Sequence, residues 1–244
     1  MSNDLQINQH RALLKSNIQN ITLSLTTQKL IRMARCFSIS FFIIFLLINF
    51  SLHAEELSAL YVTLNQKQSN NTSLKDAIKK GQERALFCKY CHGVTGNSKR
   101  GYIPNLAAQN PKYLLHQFEL FASKKRKDKI MSELIGNLSS DERINIALYY
   151  SNQKVARHSN SANIQDIKGR NIFQERCIAC HAKNGHGQEI LPRIAGQPMS
   201  YLTKTLQRYR SNTHNRPDSP MQTIAANLNN DDLKSVVRYI STMQ

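Results

Sequence analysis

A string of five residues occurs twice in the chain, as Cys88-Lys89-Tyr90-Cys91-His92 and as Cys177-Ile178-Ala179-Cys180-His181. Two thiols with two residues between them match the separation of the two vinyl groups of a haem. The histidine that follows at once is placed beneath the iron, as an axial ligand through its imidazole. A small domain bonded in this way must fold around a large apolar plate. The spacing speaks against other uses of paired cysteines. Four-cysteine zinc sites set their pairs roughly 15 to 20 residues apart, whereas Cys91 and Cys177 are 86 positions apart. A thioredoxin-like pair sits beside a strand-helix-strand unit, but both strings here follow helical patterns and carry the trailing histidine. The expected cofactors are two covalently bound haem c groups, on Cys88 and Cys91 and on Cys177 and Cys180, with His92 and His181 on the irons.

The N-terminus reads as an export segment. An unbroken apolar run from Phe41 to Ile48 follows Arg32 and Arg35 and precedes Ser51-Leu52-His53-Ala54. Basic, apolar and small-residue regions in that order describe a secretory signal peptide, with cleavage expected after Ala54. Counted from Phe37 to Leu52 the apolar run is 16 residues, short of the roughly 20 that a spanning helix needs. An uncleaved N-terminal anchor is the alternative, and Met33 is a candidate true start. The fifth cysteine, Cys36, precedes the apolar run and is not placed for lipid attachment. Export fits the strings, because outside the cytoplasm a bare thiol pair oxidises and haem consumes the thiols instead.

The rest of the chain is a duplication. Ile103-Pro104-Asn105-Leu106-Ala107-Ala108-Gln109 matches Leu191-Pro192-Arg193-Ile194-Ala195-Gly196-Gln197 at an offset of 88. Tyr113, Phe118 and Phe121 fall on Tyr201, Leu206 and Tyr209 at the same offset, and Met131, Leu138 and Tyr149 on Met221, Leu228 and Tyr239 at an offset of 90. The expected organisation is an N-terminal extension and signal over residues 1–54, a first domain over 74–151, a polar linker over 152–163 and a second domain over 164–244. Helix-start chemistry recurs in both copies: Ser73 with Asp76, and Asp166, ahead of the strings; Asn110-Pro111 and Gln197-Pro198 before a middle helix; Ser139 with Glu142, and Asn229 with Asp232, before a last one. Leu233, Val236, Val237 and Ile240 form an i, i+3, i+4, i+7 stripe. Ile146, Ala147 and Tyr150 fill its last three slots in the first copy, where Arg143 takes the first. No strand alternation appears, so the predicted fold is all-α. About 80 residues per copy give a thin core, which a buried haem would complete.

A second axial ligand is expected from methionine. Met131 lies 39 residues after His92 and Met221 lies 40 after His181. Met/His ligation is the usual arrangement in cytochromes c. His116, His158, His186 and His214 are the bis-histidine alternative, but none has a counterpart in the other copy.

Each copy resembles a class I cytochrome c domain. The pair, with I-P-N-L-A-A-Q and L-P-R-I-A-G-Q after the strings and methionine ahead of L-S-S-D-E or L-N-N-D-D, is similar to the di-haem cytochrome c4 family over about residues 74–244. The resemblance implies a periplasmic electron carrier with two His/Met haems, one per domain. It also implies a pseudo-twofold between the domains, propionates close together at their interface, and Pro104 and Pro192 holding the proximal histidines through the backbone. Two departures, Ala108 against Gly196 and Ile130 against Pro220, leave the ligand set intact.

The formal charge is +17, and still +13 without residues 1–54, which hold five basic residues and one acidic. Lys124-Lys125-Arg126-Lys127-Asp128-Lys129 before Met131, and Arg208, Arg210 and Arg216 before Met221, suggest basic surroundings for an exposed haem edge. Expected partners are acidic redox proteins or membrane oxidase or reductase complexes, with association with a membrane surface also open; export argues against nucleic acid. With both axial positions filled, the expected role is one-electron transfer in a respiratory chain rather than catalysis. The alternatives are a cytochrome subunit of a larger periplasmic enzyme, such as a flavocytochrome sulfide dehydrogenase, and a catalytic di-haem enzyme, which would need an open axial position.

Overall fold

Several helix starts in this chain are set by side chains that satisfy orphan backbone donors, and two of these starts recur in the second half. The computed structural model describes residues 57–156, 166–213, 215–216 and 219–244. The expected signal segment, Cys36, His158, His214 and most of the expected linker lie outside them. Residues 57–69 form helix α1. It is followed by α2 (Asn71–Arg84), α3 (Lys89–His92), α4 (Pro111–Ala122), α5 (Lys129–Gly136) and α6 (Ser140–Ser151), and then by α7 (Ile167–Arg176), α8 (Ile178–His181), α9 (Met199–Arg210), α10 (Met221–Ala226) and α11 (Asn230–Thr242). Among the described residues there is no strand, only a single bridge between Gln188 and Leu191, so the all-α reading holds. No described helix is long and apolar enough to cross a membrane.

The caps agree with the sequence at most starts. Asp166 accepts from the Gly169 N–H at 2.7 Å. Ser139 and Glu142 form a full capping box on α6, and Asn229 accepts from the Asp232 N–H at 2.9 Å. At α2 the cap is Asn70, whose side chain accepts from Ser73 N at 3.0 Å; Ser73 lies inside the helix, and Asp76 pairs with Lys80 instead. Pro111 occupies the first turn of α4 as expected, whereas Pro198 stands one place earlier, at the cap of α9.

In each half the first and last helices cross, α2 on α6 and α7 on α11, and the middle helix packs against the last. Glycine permits the crossing. A Cβ on Gly81 would lie 2.1 Å from the Asn145 carbonyl oxygen, and one on Gly169 would lie 2.2 Å from that of Ser235. Two hydrophobic clusters result. The first holds Leu115, Phe118, Ile144, Ile146, Ala147 and Tyr150; the second holds Phe173, Leu206, Leu233, Val236, Val237 and Ile240. The expected stripe on α11 is therefore core. Arg143, in the slot where α11 has Leu233, pairs with Glu119 of α4. Helix α1, ahead of residue 74, joins the first cluster through the fully buried Leu64. Lys67 of α1 holds Asp141 and Asn145 of α6.

Leu57–Gln244 forms one compact unit, and its two halves are joined by a reciprocal contact. Gln109 exchanges two hydrogen bonds with the backbone of Arg193 (2.7 and 2.9 Å), and Gln197 does the same with Asn105 (2.9 and 2.8 Å). Both pairings relate equivalent positions, as a pseudo-twofold requires. Asn110 adds bonds to the carbonyls of His186 and Leu191, and Lys112 pairs with Glu189.

Candidate functional site

Each five-residue string spans the junction between a long helix and a one-turn helix. α2 ends at Arg84 and a turn delivers Cys88, then α3 carries Lys89 to His92; α7 runs to Arg176, and α8 carries Ile178 to His181. The single turn points the histidine inward, so that His92 and His181 are buried. Cys88, Cys91 and Cys177 are half-buried and Cys180 is exposed, and none is in a disulfide. Burial pushes the Cys177 thiol up to about 11 and the Cys88 thiol in the same direction, so these two thiols are uncharged at neutral pH in the haem-free chain.

The loop after each string folds back over the histidine. The Gly96 carbonyl accepts from the Leu106 and Ala107 N–H groups, and the Gly185 carbonyl accepts from those of Ile194 and Ala195. This brings the Pro104 carbonyl to 2.9 Å from His92 Nδ1 and the Pro192 carbonyl to 2.9 Å from His181 Nδ1. A carbonyl only accepts, so Nδ1 carries the proton and Nε2 keeps its lone pair for a metal. Burial lowers the pKa of both imidazoles, against the carbonyl bonds that raise it; the neutral, ligating form is favoured. The residues expected to hold the histidines, Pro104 and Pro192, do so in both halves.

Met131 is the third residue of α5, and Met221 is the first of α10. Both lie on short helices rather than in loops. Both are partly buried against the core of their own half, α5 packing on α4 and α10 on α9. His116 is half-buried on α4, and His186 bonds the Gln244 carbonyl at the surface.

Two of the arginines expected in the basic surroundings of an exposed haem edge are turned inward. Arg126 stacks 4.3 Å from the Phe121 ring and donates to Gln117 at 2.5 Å. Arg216 lies 5.6 Å from the Tyr209 ring and donates to the hydroxyls of Tyr209 (3.0 Å) and Tyr201 (2.7 Å). The two are equivalent positions of the duplication, offset by 90. Their Nε atoms, and that of the buried Arg193, are shut from solvent and have no hydrogen-bond partner. Among the described residues no carboxylate pairs with any of the three. Buried cations without an anion are costly, so the arrangement fits a group from outside the chain that brings carboxylates. A haem does so through its propionates, and its two vinyl groups suit a pair of thiols beside an inward imidazole. The sequence signal for this cluster was the duplicated Arg126/Arg216 position, hidden among other basic residues.

Comparison with known proteins agrees with this chemistry. The family model for cytochrome c matches residues 167–244. Cytochrome c4 of Pseudomonas aeruginosa is 34% identical over 172 residues, which span 66% of this chain and 85% of that protein. The crystal structure of reduced recombinant cytochrome c4 from Pseudomonas stutzeri superposes with a TM-score of 0.60 at 28% identity, covering 68% of this chain and 98% of that one. A protein named thiosulfate dehydrogenase electron acceptor, from Stutzerimonas stutzeri, is 27% identical over 175 residues, 65% of this chain and 80% of its own length. Two strings built for thioether attachment, two histidines held for iron and a likeness covering most of a cytochrome c4 lead to one conclusion: the chain belongs to the cytochrome c4 family, a c-type cytochrome that carries electrons on covalently bound haem c.

Proposed function

We propose that this cytochrome works in the periplasm as a one-electron carrier between partners of a respiratory chain, with Met131 and Met221 completing the axial positions opposite His92 and His181. When bound, each haem supplies a one-electron couple between ferric and ferrous iron. The chain fixes the proximal imidazoles through Pro104 and Pro192 and excludes water with the two hydrophobic clusters. A thioether on the iron favours the ferrous state and raises the potential. The observation that supports the reading is the equivalent placement of the methionines. Each sits in the first turn of the short helix after the middle one and is tucked against its own core. Exposed Lys124, Lys125, Lys127 and Lys129 precede Met131, and exposed Arg208 precedes Met221, which suits acidic redox proteins or membrane complexes.

The test is substitution of each methionine in the holoprotein. Met131→Ala and Met221→Ala should each remove the sulfur-to-iron charge-transfer band of one ferric haem and lower one midpoint potential; unchanged spectra and midpoints would refute the ligand assignment. Fractionation of cells, with the mass of the mature protein, tests export and cleavage after Ala54. A second reading, service to one dehydrogenase, draws on the name of the Stutzerimonas relative. A stable complex with a dehydrogenase on purification would favour it.

A further inference from the structure

We infer that the turn carrying the first cysteine pair is a docking face for a redox protein whose apolar patch is rimmed by carboxylates. This rests on the carrier reading above and names where a partner sits and what its surface must be. Leu86, Phe87, Tyr90 and Val94 are 54%, 64%, 70% and 62% exposed. They lie within nine consecutive residues that also hold Cys88, Cys91 and the inward-facing His92. Large apolar side chains grouped at a surface mark an interaction site, and aromatic residues are enriched at the centres of such sites.

The duplication supplies an internal control. At the equivalent places, offset by 89, the second half has Glu175, Arg176, Ala179 and Lys183, all exposed. The fold therefore does not require apolar residues there. Only the first half spends two aromatic rings on solvent beside its haem-bearing thiols.

Charge selects the occupant. Lys89 lies 5.7 Å from the Tyr90 ring, and an Arg100 guanidinium nitrogen lies 3.8 Å from Cys91 Sγ. Lys99 is exposed beside Arg100. From Arg84 through Phe118 the chain has no aspartate or glutamate at all. Glu83 and the Glu142 that pairs with Arg84 lie on the α2 side, but from Lys89 to Arg100 the charged fringe is basic, and an apolar centre with such a fringe matches an apolar centre with an acidic one. A protein seated there contacts the turn to which the first haem is bonded, so the first half is the one that exchanges electrons with it.

The test uses the ferrous holoprotein and oxidised plastocyanin, a copper protein with an acidic surface, as the probe, so that the copper protein and ferricyanide each take one electron from the same ferrous haem. Bimolecular electron transfer is followed by stopped flow at low ionic strength, with ferricyanide as a small reagent in parallel. Phe87→Ser/Tyr90→Ser should slow the plastocyanin reaction about tenfold or more, the size of a lost interface hot spot, and leave the ferricyanide rate within about twofold. The control Ile167→Ser/Ile190→Ser removes exposed apolar surface from the second half and should change neither rate. Should haem loading of the first variant fall, Lys89→Glu/Lys99→Glu is the substitute; it should slow plastocyanin most at low salt. An unchanged plastocyanin rate, an equal loss in the control, or a wild type that reacts with ferricyanide but not with plastocyanin overturns the inference. An unchanged rate with lost binding to phosphatidylglycerol vesicles assigns the face to lipid instead. A wild type inert to both reagents overturns the carrier reading itself.

Discussion

Gln109 grips Arg193 by its backbone, with its amide oxygen taking the Arg193 N–H at 2.7 Å and its amide nitrogen donating to the Arg193 carbonyl at 2.9 Å. Gln197 repeats the grip on Asn105, and all four residues are buried. The two halves are thus fastened by four main-chain bonds from two side chains. Replacing Gln109 or Gln197 with leucine leaves two buried backbone groups unpaired. Each substitution should destabilise the holoprotein by about 2 kcal/mol or more, read as a lower midpoint in guanidinium unfolding.

The helix crossings are equally unforgiving. Gly81→Ala and Gly169→Ala drive a methyl into the carbonyl of the facing helix, 2.1 and 2.2 Å away. Backbone cannot yield as a side-chain tip does, so each change should cost about 3 kcal/mol or more, at or beyond the upper end for overpacking. Thermal melts of the two variants check this.

One residue is strained where its counterpart is not. Gly93 ends α3 with φ 81°, ψ 157°, and Ala182 ends α8 with φ 62°, ψ 163°. That region is nearly reserved for glycine, and other residues there cost roughly 1–3 kcal/mol. Ala182→Gly should therefore stabilise the holoprotein by about 1 kcal/mol, after the added freedom of glycine in the unfolded chain is subtracted. A melt no higher than wild type would contradict it.

The inward arginines should act on potential. A positive charge beside a haem disfavours the ferric form, which carries one more positive charge than the ferrous. Arg216→Gln, and separately Arg126→Gln, should lower a midpoint by roughly tens of millivolts, where 59 mV is tenfold for a one-electron couple. Spectroelectrochemical titration measures the shift, and an exposed control such as Lys124→Gln should give far less.

Much of this was legible in the sequence. The two strings and the stripe on α11 follow from spacing alone, whereas the hold of Pro104 and Pro192 on the histidines comes from the family resemblance. Helix α1 is legible too, since Leu57, Leu60, Tyr61 and Leu64 form an i, i+3, i+4, i+7 stripe, although it lies ahead of the expected domain start at residue 74. The start of α2 was ambiguous by type, because Asn70, Asn71, Thr72 and Ser73 can all cap, and only the backbone path selects Asn70. The inward turn of Arg126 and Arg216 and the crosswise grip of the glutamines depend on how the halves face each other. No local pattern encodes that.

A clasp that touches only peptide groups is blind to the identity of what it holds. Gln109 closes on an arginine and Gln197 on an asparagine, with the same geometry in both. These four bonds therefore do not depend on which residue is held, unlike the side-chain contacts of Asn105, Asn110 and Lys112 across the same joint. One gene duplication could in this way yield two unlike electron ports in a single compact unit.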